Sequence, residues 1–128
     1  MGIYVNTNAA STSASRNMIR DNQIRVNTTA PTTLASASSD AYSRGIQLDC
    51  IGTGALVDSN AIVGNSIYSV NVAVRTYNAT NTVITDNKAS NVNTTLTATG
   101  DHTGMIHRNN AWQKYNIADY GVKGDLTD

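Results

Sequence analysis

Residues 60–67 read Asn60-Ala61-Ile62-Val63-Gly64-Asn65-Ser66-Ile67, and this spacing occurs four times along the chain. Without gaps it aligns with Asn17-Met-Ile-Arg-Asp-Asn22-Gln-Ile24, Thr82-Val-Ile-Thr-Asp-Asn87-Lys-Ala89 and Gly104-Met-Ile-His-Arg-Asn109-Asn-Ala111. Ile holds third place and Asn sixth place in every copy. The sixth-place asparagines are Asn22, Asn65, Asn87 and Asn109, so the successive intervals are 43, 22 and 22 (65−22, 87−65, 109−87). A period near 22 is too short for helical-hairpin repeats and leaves leucine-rich repeats or β-solenoid rungs. With Leu only at Leu34, Leu48, Leu56, Leu96 and Leu126, the chain lacks the leucines of the former. The first interval is close to two of the others, and a long loop over 27–44, rich in Thr, Ser and Ala and holding the only proline, Pro31, would account for the excess.

A second strand precedes each copy, over 2–5, 45–50, 70–75 and 92–98, and each alternates apolar with polar residues at period two. Ile46, Leu48 and Cys50 are expected to point inward beside Val72 and Val74, followed by Thr94 and Leu96. Stacking like on like at ~4.8 Å builds a continuous apolar column from units that could not fold alone. Asn22, Asn65, Asn87 and Asn109 form the expected ladder, because Asn tolerates the left-handed backbone of a tight turn and can hydrogen-bond from rung to rung. Asn78 lies outside this series and is expected to be dispensable.

Only 14% of the residues are charged, against roughly 25% in an average globular protein, and net charge is zero. No basic cluster supplies the field that nucleic-acid binders use, so nucleic acid is not an expected partner. No apolar run reaches the ~20 residues of a membrane span, and the first residues lack the pattern of a signal peptide. Cys50, the single cysteine, excludes an internal disulfide and any cysteine-rich metal site, and reads as an inert buried residue.

The pattern Asn-x-Ile-x-x-Asn-x-Ile resembles the repeat of right-handed parallel β-helix proteins of the pectate-lyase-like superfamily, closest in style to bacteriophage tailspikes and neck-appendage proteins. The resemblance covers roughly residues 2–112 and implies an all-β fold of about four to five rungs. A second resemblance lies in Tyr115-Asn-Ile-Ala-Asp-Tyr-Gly-Val-Lys-Gly-Asp-Leu-Thr-Asp128, which is similar to the segment that opens such domains. Leu126 stands where that segment has glycine, and the segment follows the rungs instead of preceding them. Residues 1–112 are therefore expected to be rungs and 113–128 an extended tail.

Lyase chemistry in this superfamily needs carboxylates holding Ca²⁺ and a basic residue, and hydrolysis needs two suitably spaced carboxylates. The sequence offers scattered acids. Rung alignment gives one outward row Asn6, Asp49, Arg75, Thr97 and another Asp21, Gly64, Asp86, Arg108. These set Asp49 beside Arg75 and Asp86 beside Arg108. With Tyr77, which can stack on a sugar ring, these four are the candidate glycan contacts, although exposed ion pairs are more often weak surface pairs. His102 and His107 near Asp101 read as solvated residues, and Trp112 as a plug on the open end of the core. No catalytic residue, metal or cofactor is assigned. The resemblance implies a structural, glycan-contacting module of a virion or extracellular protein, a homo-oligomer with a trimer as first choice. The competing expectation is a fragment of a polysaccharide lyase or glycoside hydrolase.

Overall fold

The computed structural model describes residues 2–7, 13–25, 43–50 and 57–112. Among them every regular element is a strand: β1 (Ile3–Thr7), β2 (Met18–Arg20), β3 (Gln23–Arg25), β4 (Arg44–Cys50), β5 (Val57–Asp58), β6 (Ala61–Val63), β7 (Ser66–Tyr77), β8 (Ala79–Thr80), β9 (Val83–Thr85), β10 (Lys88–Thr99), β11 (Ile106–Arg108) and β12 (Ala111–Trp112). They form three sheets. The largest runs β1-β4-β7-β10-β12 with β3 also paired to β7, the second runs β11-β9-β6-β2, and β5 pairs with β8. Every pairing is parallel. Parallel neighbours need a crossover. Between β7 and β10 the chain supplies it with β8 and β9, passing through the other two sheets before it returns to set Lys88 against Ser66.

Register explains why apolar positions recur. Ile24, Ile67, Ala89 and Trp112 lie in one row, Ile3, Ile46, Val74 and Leu96 in another, and Ile19, Ile62 and Ile84 in a third. Ile46, Ile62, Ile67, Val74 and Ile84 are fully buried. β2 pairs directly with β6, Met18 opposite Ala61, so the first two copies of the motif are adjacent repeats with no repeat between them. The loop expected over 27–44 falls outside the described residues except at its end. There the expectation is corrected, because Ser43 is buried and Arg44 opens β4. The tail expected over 113–128 lies wholly outside.

Two registers differ from the expected ones. Val72 pairs with Arg44 and Thr94, whereas Ile46 pairs with Val74 and Leu48 with Thr76, a shift of two positions that keeps the inward face but changes the partners. The last repeat is shifted by one: Arg108 pairs with Thr85, His107 with Ile84 and Ile106 with Val83. The cause is one extra residue between two corners. Asn78 and Asn81 bracket Ala79-Thr80, while Gly100 and Gly104 bracket Asp101-His102-Thr103. There the Asp101 carboxylate accepts hydrogen bonds from the Thr103 amide and hydroxyl, and the chain turns through a Met105-to-His102 backbone bond.

The ladder is accordingly Asn22, Asn65, Asn87, Asn110, and the fourth member expected, Asn109, is replaced by its neighbour. The backbone and side-chain amides of Asn65 both donate to Asn87 Oδ1, at 3.0 and 2.9 Å, and those of Asn87 donate to Asn110 Oδ1, both at 3.0 Å. Asn22 donates to Asn65 in the same way. Three of the four side chains also reach back to the carbonyl of a third-place isoleucine, Asn65 to Ile19, Asn87 to Ile62 and Asn110 to Ile84. This links the Ile and the Asn of the motif: the buried carboxamide donates to an isoleucine carbonyl of the repeat behind and accepts from the Asn amides of that repeat, while it donates to the Asn Oδ1 of the repeat in front. The left-handed backbone belongs to the residue before each ladder Asn, namely Asp21, Gly64, Asp86 and Asn109, with φ of 57°, 68°, 58° and 54°.

A second corner row, Arg16, Ser59, Asn81 and Gly104, and shorter ones at Ser69 and Asn91 and at Asn78 and Gly100, also have positive φ. Gly100 has a further requirement, since a Cβ there would collide with the Asn78 carboxamide oxygen. That oxygen instead accepts from the Asp101 amide at 2.9 Å, so Asn78 is a structural residue and not a dispensable one.

Candidate functional site on the six-stranded sheet

The outward residues of β1, β4, β7 and β10 form two rows. Tyr4, Gln47, Arg75 and Thr97 make one, and Asn6, Asp49, Tyr77 and Thr99 the other. The expected row Asn6, Asp49, Arg75, Thr97 therefore splits. Arg75 lies opposite Gln47, Asp49 lies opposite Tyr77, and Arg75 reaches Asp49 across the diagonal with Nη1 3.8 Å from Oδ2. The three sequence-selected residues Asp49, Arg75 and Tyr77 are thus on one face, joined by Tyr4 and Gln47.

Asp49 is the centre of this face and is only 5% exposed. A carboxylate so far out of water requires donors. The Gln47 side-chain amide donates to Oδ2, as does the Tyr4 hydroxyl at 3.3 Å, and Arg44 in turn donates from Nη1 to the Gln47 carbonyl oxygen. The contacts from Gln47, Tyr4 and Arg75 all fall on Oδ2, and Oδ1 is buried without a hydrogen-bond partner. Burial raises the Tyr4 phenol above its ordinary value, and the Asp49 charge and the hydrogen bond to Asp49 raise it further. Arg75 is held partly buried between this carboxylate and solvent, with the part-exposed rings of Tyr4 and Tyr77 belonging to the same two rows. Such a surface can donate hydrogen bonds from Arg75 and offer flat apolar faces for stacking.

The remaining candidates lie elsewhere. Asp86 occupies the corner after β9 and Arg108 ends β11 opposite Thr85, so the corner neighbour of Asp86 is Asn109 and the expected Asp86–Arg108 pairing does not form. Asp86 instead accepts from the Thr85 hydroxyl. His102 and His107 are exposed, and the His102 ring nitrogen contacts the Gly100 carbonyl. Trp112 is half-buried and packs against the core cluster beside Ala89. Among the described residues no group of three or more His, Cys, Asp or Glu side chains could hold a metal ion.

Sequence reasoning missed Asp58. Its carboxylate accepts from the Thr80 hydroxyl at 2.7 Å, the Asn81 amide at 2.8 Å and the Ser59 hydroxyl at 2.7 Å, which ties two adjacent repeats together beside the β5–β8 pair. The Ser59 bond first, then those from Thr80 and Asn81, lower its pKa to about 2. The interval from Asp58 to Thr80 equals the repeat period, and that was the available signal. Asn60 was missed as well: buried, it accepts from the amide and side chain of Asn17 in a second, shorter ladder that Thr82 ends.

Comparison with family models, with curated protein sequences and with solved structures finds no match for this chain.

Proposed function

We propose that the chain is a stretch of right-handed parallel β-helix that acts as a structural module and contacts a saccharide through the face centred on Asp49 and Arg75, in the manner of a phage tailspike or appendage. The β-helix reading is supported by parallel pairing throughout and by a chain path that leaves the large sheet after Tyr77 and rejoins it at Lys88, one repeat on from Ser66. The single observation that carries the saccharide reading is the buried Asp49 carboxylate holding Arg75 on a surface whose two rows also contain the part-exposed Tyr4 and Tyr77. Binding is favoured over hydrolysis because Asp49 is the sole carboxylate among the described strands of that sheet, and a glycosidase needs two.

A virion or extracellular location and a homo-oligomer, with a trimer as the first choice, are parts of the same proposal. The oligomer is carried by the resemblance of the Asn-x-Ile-x-x-Asn pattern to tailspike repeats. Affinity electrophoresis through gels containing neutral or acidic polysaccharides tests the reading. Retardation that Arg75→Ala and Tyr77→Ala both abolish is expected. Retardation unaffected by either variant, or none in any polysaccharide, would overturn it, and shortening of the polysaccharide would favour the lyase or glycosidase alternative.

A further inference from the structure

The four-stranded sheet has an outward face unlike that of the large one. Its inward row is Ile19, Ile62, Ile84 and His107, and the residue before each of these stands in the outward row Met18, Ala61, Val83, Ile106, one from each strand and all in register. None of the four is polar. Met18 is 64% exposed and Ile106 47%, with Ala61 and Val83 half-buried between them. Single exposed apolar residues are ordinary, but four on successive strands make a continuous stripe about 14 Å long at a strand spacing of ~4.8 Å. Beside it runs the row Arg20, Val63, Thr85, Arg108, in which Val63 widens the stripe at its middle. β6 is therefore apolar at every position, Ala61-Ile62-Val63, a pattern that parallel strands show where both faces of the sheet are covered, ordinarily by helices.

The charges at the two ends of the stripe are unequal. At the β2 end the Arg20 guanidinium is already paired with the Asp21 carboxylate at 2.8 Å. At the β11 end Arg108 is exposed, its neighbour at the corner is the uncharged Asn109, and Asp86 accepts from the Thr85 hydroxyl instead of pairing with it. The stripe and the row beside it cover on the order of 250 Å², against about 800 Å² per partner in a standard interface, too little to hold a second copy of the chain by itself. A single segment matches that area. It would lie over strands that already pair with one another in the order β11-β9-β6-β2, so it must satisfy its own backbone hydrogen bonds, which a helix does and an extended chain does not. We infer that the stripe is the docking surface for an amphipathic helix of a partner protein, about ten residues of which span it, with its apolar face on Met18, Ala61, Val83 and Ile106 and an acidic residue at one end meeting Arg108. The unequal charges fix which end of the helix lies over β11. This surface is separate from the Asp49 face and independent of the saccharide reading.

The test is titration of the isotopically labelled full chain, followed by backbone NMR shifts, with synthetic helical peptides of about 14 residues. The first carries leucines along one face of an Ala and Gln background and glutamates in its first turn, the second has lysines in place of the glutamates, and the third has the residues of the first in an order that destroys the apolar face. Shifts centred on residues 18–20, 61–63, 83–85 and 106–108 are expected with the first, and binding about fivefold weaker with the second and about tenfold weaker or worse with the third. Met18→Asp and Ile106→Asp should each weaken binding of the first peptide about tenfold. Arg108→Glu should reverse the preference, so that the lysine peptide binds more tightly than the glutamate one, an outcome that structural damage would not produce. These three side chains are exposed, so melting curves near the parent's would show that the fold is retained. Absence of binding, shifts centred elsewhere, equal affinity for the third peptide, or an unchanged preference in Arg108→Glu would each overturn the inference. So would self-association of the chain in sedimentation that Met18→Asp abolishes, since that would assign the stripe to a second copy.

Discussion

The middle repeats and the last repeat carry the same motif, yet they bury it differently. In the middle, Ile62, Ile84, Asn65 and Asn87 are completely buried. In the last, Ile106 is 47% exposed, His107 occupies the isoleucine row and is exposed, and Asn110 is only partly covered. The one-residue shift turns Ile106 out of the isoleucine row to lie opposite Val83, and His107, which takes its place there, has β9 on one side only among the described strands. A motif residue gains its burial from the repeats on either side, as expected of an array whose stability is a sum of neighbour interfaces.

The sharpest way to break this comparison is to cut the same side chain in both regions. Ile84→Ala leaves a cavity in a closed row and should cost about 2–5 kcal/mol, whereas Ile106→Ala should stay within about 0.5 kcal/mol of the parent. Chemical denaturation measures both, and equal losses would show that the last repeat is packed as tightly as the middle ones. Next in size is Asn87→Ala. It strips partners from the Asn65 amide and the Ile62 carbonyl and should cost about 1–3 kcal/mol, with a smaller loss for Asn110→Ala.

A smaller effect depends on pH. Asp58 titrates near 2 when folded, below its ordinary value of 3.8, because three donors stabilise its charge. A depressed carboxylate pKa contributes stability that is present above the unfolded value and is lost as pH falls through the folded value. The stability advantage of the parent over Asp58→Asn should therefore be constant above pH about 5 and shrink between about 4 and 2. A difference that persists undiminished at pH 2 would remove the carboxylate from its role between repeats.

Much of the fold is legible because the motif encodes both its inward column and its spacing. Ile19, Ile62 and Ile84, with Asn22, Asn65 and Asn87, emerge from a gapless alignment and are the residues that stack. The last repeat misleads for a definite reason: Asn109 and Asn110 are adjacent and identical, so one extra residue before Met105 leaves no trace in the motif itself. The signal lies in the corners, where Gly100 and Gly104 are one position further apart than Asn78 and Asn81.

The outer face is less legible. Period-two alternation states which face a side chain takes, and it is blind to a register shift of two. Alternation therefore puts Asp49 and Arg75 on the right face but in the wrong rows. Their contact survives because a long arginine spans the diagonal. Gln47 is a near neighbour of Asp49 on β4, but Tyr4 comes from β1, a strand remote in sequence, and no local pattern records that contact.

The asparagine ladder is the central claim, and side-chain amide hydrogen exchange tests it most directly. Resolved Asn carboxamide protons of the folded chain at neutral pH should exchange slowest at Asn65 and Asn87, more quickly at Asn110, and at a rate close to that of free asparagine at Asn109. Protection of Asn109 in place of Asn110, or rapid exchange at Asn65 and Asn87, would contradict the ladder and the register on which it depends.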